Sequence, residues 1–315
     1  MFKNDSKMLY SMAPHSAFTD LCNFSNTLFC SFRAATDHIS PDGKIVILQL
    51  DWQGDTVAKN MVRMLNCDLR DPKLSVSTDG KLILLFYARH SQPDGTFLYS
   101  QPYVCFSQDG ASWSSPKAVG QKNHWLWRLR WYGDKALGFA YNRRQQILDL
   151  YAGNPLRTFE KLLPEALSQR KHHRGYPNES DIGFDSRGTA YAIVRRDADS
   201  GMAQWGIAKP PYKQWHWQDL GFYIGGPVML MLDDQQALLC GRIWQEHGPK
   251  TALIKLNLIN LEANIVHILP SGGDCSYPGL VKQGDDLYIS YYSSHIDNHS
   301  RIYLSHLSLA DINAG

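Results

Sequence analysis

The sequence predicts an all-β fold, a six-bladed β-propeller of four-stranded antiparallel blades, with residues 1–315 forming one domain. Three observations carry that expectation. An apolar run, a polar turn and a second alternating run recur six times along the 315 residues. Each recurrence has the chemistry of a tight hairpin, and each interval has room for two further strands. Only Leu156 to Gln169 has a helix-like pattern. Six units closed in a ring would also remove the open sheet edges that invite aggregation.

The six turn-to-strand junctions read SNTLFCSFR, DGKLILLFYAR, GDKALGFAYNR, RGTAYAIVR, QQALLCGR and DDLYISYY. Anchored at Leu28, Leu82, Ala136, Ala190, Ala237 and Leu287, they are 54, 54, 54, 47 and 50 residues apart. In the second unit the strand YVCF runs into Ser107-Gln108-Asp109-Gly110-Ala111-Ser112-Trp113. There Asp109 can bond back to the turn amides, Gly110 can take positive φ and Trp113 can plug the hairpin. A weaker echo, Asp51 to Asp55, falls at the matching place in the first unit.

Composition excludes several classes of function. With 32 basic and 30 acidic residues the net charge is +2, too balanced for a nucleic-acid binder that works by bulk charge. No run approaches the 18 apolar residues of a membrane span, and the first twenty residues lack the apolar stretch of a secretory signal. The expectation is a cytoplasmic protein with no membrane partner. Cys22, Cys30, Cys67, Cys105, Cys240 and Cys275 show no CxxC spacing, and three sit in apolar runs where a thiol acts as a small hydrophobe. No pattern demands a metal or an organic cofactor, and His172-His173 reads as a solvated turn.

The repeat converts sequence into geometry. In an antiparallel hairpin the start of the first strand lies beside the end of the second, so both gather on one rim. Eleven positions before the anchors stand Asp71, Trp125, Glu179, Gly226 and Ser276, with Tyr277 next. The exits carry Arg33, Arg89, Arg143, Arg195 and Arg242, then Tyr291 and Tyr292 in the last unit. One arginine at a strand end is ordinary ion pairing. Five on one rim suit an anion, because guanidinium is a rigid, always-charged fork for carboxylates. A carboxylate such as Glu179 beside a phenol such as Tyr277 can take its proton and make it nucleophilic. Of the tryptophans, Trp125 has the rim position, whereas Trp127, Trp131, Trp205, Trp215 and Trp217 read as packing between blades. His295 also points toward the rim.

The turn Ser107–Trp113 resembles a shortened Asp-box. The chain as a whole resembles the sialidase-like (neuraminidase-type, BNR) superfamily of propellers. The likeness rests on HSAFTDLCNFSNTLFCSFRAATDH, DLRDPKLSVSTDGKLILLF, PNESDIGFDSRGTAYAIVRRD, GGPVMLMLDDQQALLCGRIW and GGDCSYPGLVKQGDDLYISYYSSH. It implies that Tyr277 is the nucleophile and Glu179 its activator, that Arg195 (or Arg196 if the register slips) and Arg242 hold a substrate carboxylate, and that Arg33 supports them. Asp37 or His38 would be the acid/base, and Asp71 would line the pocket. The first arginine of that family's clamp belongs where His15 stands, and a histidine holds a carboxylate only when protonated. Two arginines plus a histidine fit a small uronic-acid glycoside as well as a sialic-acid-like one. The resemblance therefore implies an exo-acting glycosidase on a small acidic saccharide. A lyase on a uronate-containing saccharide and a non-catalytic carbohydrate-binding propeller are the alternatives.

Overall fold

The computed structural model describes residues 6–314. Six antiparallel sheets follow one another along the chain, and five of them form from consecutive strands. The first is β2 (His15–Phe24), β3 (Thr27–Ala35), β4 (Lys44–Leu50) and β5 (Thr56–Val62). The second is β6 (Cys67–Val76), β7 (Leu82–Ser91), β8 (Phe97–Ser107) and β9 (Lys117–Ala118). The third has an interrupted inner strand, β10 (Trp125–Leu126) and β11 (Arg130–Tyr132), followed by β12 (Lys135–Asn142), β13 (Ile147–Gly153) and β14 (Phe159–Ser168). The fourth is β15 (Pro177–Phe184), β16 (Ala190–Arg196), β17 (Gln204–Ala208) and β18 (His216–Asp219). The fifth is β19 (Gly225–Met231), β20 (Gln236–Gln245), β21 (Gly248–Asn257) and β22 (Ala263–Ile268). The sixth joins β23 (Cys275–Gln283), β24 (Asp286–Ser293) and β25 (Arg301–Ser308) to β1 (Ser6–Tyr10), so the two ends of the chain share one blade. Two short helices, α1 (Gln169–His172) and α2 (Leu309–Ala314), lie outside the sheets.

This is a six-bladed β-propeller. Burial falls from the axis outward: β2, β6, β15 and β23 are buried over most of their length, while β5 and β18 are largely exposed. Apolar residues on both faces of the inner strands fill the gaps between blades, in five contiguous clusters. The helix-like segment Leu156–Gln169 is instead mostly β14, the half-exposed outer strand of blade three. An edge strand tolerates Pro164 because one side of its ladder needs no donor. His172 and His173 end α1, with His173 in the left-handed region.

The turn at Ser107 closes as its residues suggest. Asp109 Oδ1 accepts from the amides of Ala111 and Ser112, both at 2.8 Å, and Gly110 has φ 76°. Trp113 packs beneath, against the cluster between blades one and two. All six cysteines are unpaired. No helix among the described residues is long and apolar enough to cross a membrane.

Candidate functional site

One irregularity, repeated blade after blade, builds the site. The innermost strand breaks register between Ala17 and Asp20, Arg70 and Lys73, Pro177 and Ser180, Gly225 and Val228, and Ser276 and Gly279. Such bulges re-aim side chains next to functional sites. Phe18, Asp71 and Tyr277 take positive φ at these bulges (62°, 46° and 47°), a conformation that costs side-chain-bearing residues energy. Gly226 does the same without a Cβ, and it has to: a Cβ there would lie 2.8 Å from Cγ of Tyr277.

Phe18, Asp71, Glu179 and Tyr277 thereby line one axial pocket of about 200 Å³, together with His38, Arg70, Trp125, Trp127, Tyr141, Arg143, Asn178, Arg195 and Asp197. Tyr277 Oη donates to Glu179 Oε1 at 2.7 Å. Arg195 Nη1 donates to both Glu179 oxygens (3.0 and 2.8 Å) and to Tyr277 Oη at 3.0 Å. The Gly226 amide adds a fourth bond to Glu179, at 3.2 Å. Thr19 Oγ1, from blade one, holds the Tyr277 carbonyl at 2.8 Å. Burial, reinforced by the charge of Glu179, keeps the Tyr277 hydroxyl well above its usual range, although Arg195 and Arg242 pull the other way. The phenol is therefore protonated at rest and has a carboxylate in place to receive that proton.

Asp71 is the second unusual group. Burial lifts its carboxyl to about 6, against the opposing pull of Arg70 and Lys73. Behind the pocket wall lies a network around Asp274. Its carboxylate takes bonds from His15 Nε2 (3.2 Å), His38 Nδ1 (3.1 Å), Tyr292 Oη (2.7 Å) and Arg242 Nη2 (3.3 Å). Burial opposes its ionisation, but the bonds from His15, His38 and Tyr292 and the charge of Arg242 outweigh burial and hold it well below the usual carboxylate range.

The structure separates the sequence candidates. Glu179, Tyr277, Arg195, His38, Asp71 and Trp125 all line the pocket. Arg196 points away, to Asp199 and Asp219. Arg33 is fully buried, pairs with Asp68 at 2.8 Å, donates to the Asp37 carbonyl at 2.8 Å and meets His15 Nδ1 at 3.4 Å, away from the pocket lining. Arg242 lies under the Tyr277 ring, 5.5 Å from its centroid, and bonds the Cys275 carbonyl. Asp37 is exposed, with its carboxylate capping the His38 amide at 2.6 Å. Tyr291 is a correction: strand alternation sends it into the core against Tyr303 and brings Tyr292 to the site. His295 is exposed and bonds Ser293.

The sequence does not single out Asp274, Arg70 or Tyr141 as site residues, and Trp127, expected only to pack between blades, also lines the pocket. Arg70 stands beside Asp71 in the repeat register and Asp274 two residues before Ser276, which was the available signal. His15, His38 and Asp274 also present metal-ligand atoms within 4.8 Å of one another. The groups behind these three side chains do not fit a cation. A metal on His15 Nε2 would force the other ring hydrogen toward Arg33, where ligating histidines need an acceptor.

No protein-family model matches the chain, and no curated protein matches it. Among solved structures it is similar to a protein of unknown function from Dyadobacter fermentans DSM 18053 (TM-score 0.83, 18% identity, covering 96% of this chain and 98% of that one). It is also similar to the NanB sialidase of Streptococcus pneumoniae (TM-score 0.72, 11% identity, 98% and 71% covered). A third likeness is to an α-L-arabinanase of Penicillium chrysogenum (TM-score 0.75, 12% identity, 98% and 99% covered). The chain thus has the sialidase-like six-bladed propeller fold.

Proposed function

We propose that the protein is an exo-acting glycoside hydrolase of a small acidic-sugar glycoside, with Tyr277 as nucleophile and Glu179 as its base. The observation that carries this is the Tyr277 hydroxyl held 2.7 Å from Glu179 and 3.0 Å from Arg195 in an axial pocket. A neutral phenol attacks without building a second negative charge beside the substrate, because its proton passes to Glu179 as the new bond forms. The anomeric carbon–oxygen bond breaks in the same step, and a proton from Asp71 goes to the leaving oxygen. Water then attacks the glycosyl-tyrosine, giving its proton to Asp71, and Glu179 returns the phenolic proton. Tyrosine nucleophiles are a recognised exception to the two-carboxylate scheme.

Asp71 is assigned as the donor because it lines the pocket and holds its proton to about pH 6, as a general acid must. His38 shares that wall but is bound to Asp274 through Nδ1. Arg70, Arg143 and Arg195 on the wall favour an anionic sugar. The likeness to a sialidase and an arabinanase supports glycoside chemistry in general.

The test is a turnover screen of purified protein on sialosides and uronosides, following reducing-end release and near-ultraviolet absorbance together. Released sugar without absorbance, reduced at least a thousandfold by Tyr277→Phe, is expected. Absorbance from an unsaturated product would replace the hydrolase with a lyase. Binding without any turnover would leave a carbohydrate-binding propeller.

A further inference from the structure

A groove of about 660 Å³ adjoins the axial pocket and lies against blades two and three. Three arginines line it, Arg89, Arg143 and Arg144, and no Asp or Glu does. Among the described residues ten other arginines sit in ion pairs with Asp or Glu: 33, 70, 128, 130, 170, 174, 195, 196, 242 and 301. The three in the groove have no such partner, as is also true of Arg63, Arg157 and Arg187, which are exposed and line no part of it. Arg89 instead lies over the Phe97 ring at 5.2 Å, and Arg143 donates to the Tyr176 hydroxyl at 3.0 and 2.7 Å.

Scattered surface arginines are ordinarily just solvated. Here they converge on one concavity that also has a built aromatic wall. Trp125 stacks on Tyr87 with ring centroids 3.8 Å apart, and on Tyr141 at 5.7 Å, nearly parallel in both cases. Trp125, Tyr141 and Arg143 line both the groove and the axial pocket, so one ligand can run from one into the other. The pocket's 200 Å³ falls below the roughly 300 Å³ at which sites for drug-sized ligands begin, which suits a single ring. Whatever is attached to that ring leaves along the groove, over flat aromatic surface and toward uncompensated positive charge.

We propose that this groove is the subsite for the second sugar of the substrate, and that this second sugar is itself anionic, bearing a carboxylate or a sulfate. The inference rests on the hydrolase reading of the pocket and narrows its substrate class to a saccharide charged on both sides of the scissile bond. Guanidinium forks meet either oxyanion with paired hydrogen bonds.

The test uses non-cleavable, sulfur-linked uronyl-hexosamine disaccharides with and without a sulfate on the hexosamine, titrated calorimetrically into wild-type protein and into Arg144→Ala and Arg89→Ala/Arg144→Ala variants. The sulfated probe should bind wild type at least fivefold more tightly. That preference should fall below twofold in the double variant, be intermediate in the single one, and shrink at 0.5 M salt. Equal affinities in wild type, a preference that survives the double substitution, or no binding of either probe would overturn the proposal. Cleavage of a simple aryl uronide by wild-type protein reads the pocket separately. Failure there and on the matching aryl sialoside, with the sulfate preference intact, would remove the hydrolase reading and leave the anionic groove standing.

Discussion

At the scale of the residue, the pocket places one carboxyl that burial makes reluctant to ionise and one buried phenol at the same axial opening, each re-aimed by a bulge. Asp71 offers a prediction in which stability and activity move in opposite directions. Its folded value is raised above the ordinary 3.8, to about 6. Such a group contributes stability that is fully present below about pH 4 and is lost as the pH rises through 6, a difference of about 3 kcal/mol. Asp71→Asn keeps a neutral side chain at every pH. Thermal melts should therefore show the variant at least as stable as wild type at pH 7, with a flatter profile between pH 4 and 7. Its hydrolysis of glycosides with poor leaving groups should fall about a hundredfold or more, with a smaller loss on activated aryl glycosides. In the wild type kcat/KM should decline above pH 6, where the donor is ionised. A destabilised Asp71→Asn with an unchanged pH profile would remove Asp71 from the reaction.

The elements show how blades are locked to one another beneath that opening. Asp20 on β2 accepts the Leu74 amide of β6 at 2.7 Å, and Asp181 on β15 accepts the Met229 amide of β19 at 2.8 Å. The same device thus joins blade one to two and blade four to five. Arg128 bonds Asp20 at 2.7 Å and lies 3.6 Å from Asp181, and all three are buried. Removing the cation leaves the buried Asp20 carboxylate without its arginine, while Asp181 keeps Arg130 at 2.7 Å. Arg128→Leu should cost about 3–5 kcal/mol in denaturant unfolding. A loss below 1 kcal/mol would show that the pairs contribute little.

Much of this level is legible in the sequence. A hairpin turn leaves Gly and Asp behind, and the spacing of Asp71, Trp125, Glu179 and Gly226 from their anchors fixes the rim register. The bulges are not legible, because an inserted residue changes no composition. Nor does the sequence show which face of a fully buried strand meets the axis. Tyr291 and Tyr292 are equally apolar, and only the alternation of the folded strand separates core from site. The exit arginines share one origin and three fates: Arg33 buried with Asp68, Arg195 and Arg242 around Tyr277, Arg89 and Arg143 in the side groove. Acidic partners far along the chain decide among these, beyond the reach of any local pattern.

For the whole molecule, the ring holds because the first strand completes the last blade. Ser6, Lys7, Met8 and Tyr10 pair with Ser305, Leu304, Tyr303 and Ile302 on β25. Blades one and six also meet directly, where the Ser16 amide bonds the Ser300 carbonyl at 2.9 Å. Deleting the chain through Tyr10 should expose the β25 edge, lower the melting temperature and promote association, read by light scattering. A monomeric truncation with unchanged melting would show that closure needs only the contacts between blades.

The same closure brings residues from all six blades around one phenol. The measurement that tests this account most directly is the mass of the Tyr277 peptide after rapid quenching with a fluorinated acidic-sugar donor that slows breakdown of the intermediate. One glycosyl group on Tyr277, absent from Tyr277→Phe, is the predicted result. A glycosyl group on a carboxylate, or turnover of the same donor with no adduct and no loss in Tyr277→Phe, would contradict it.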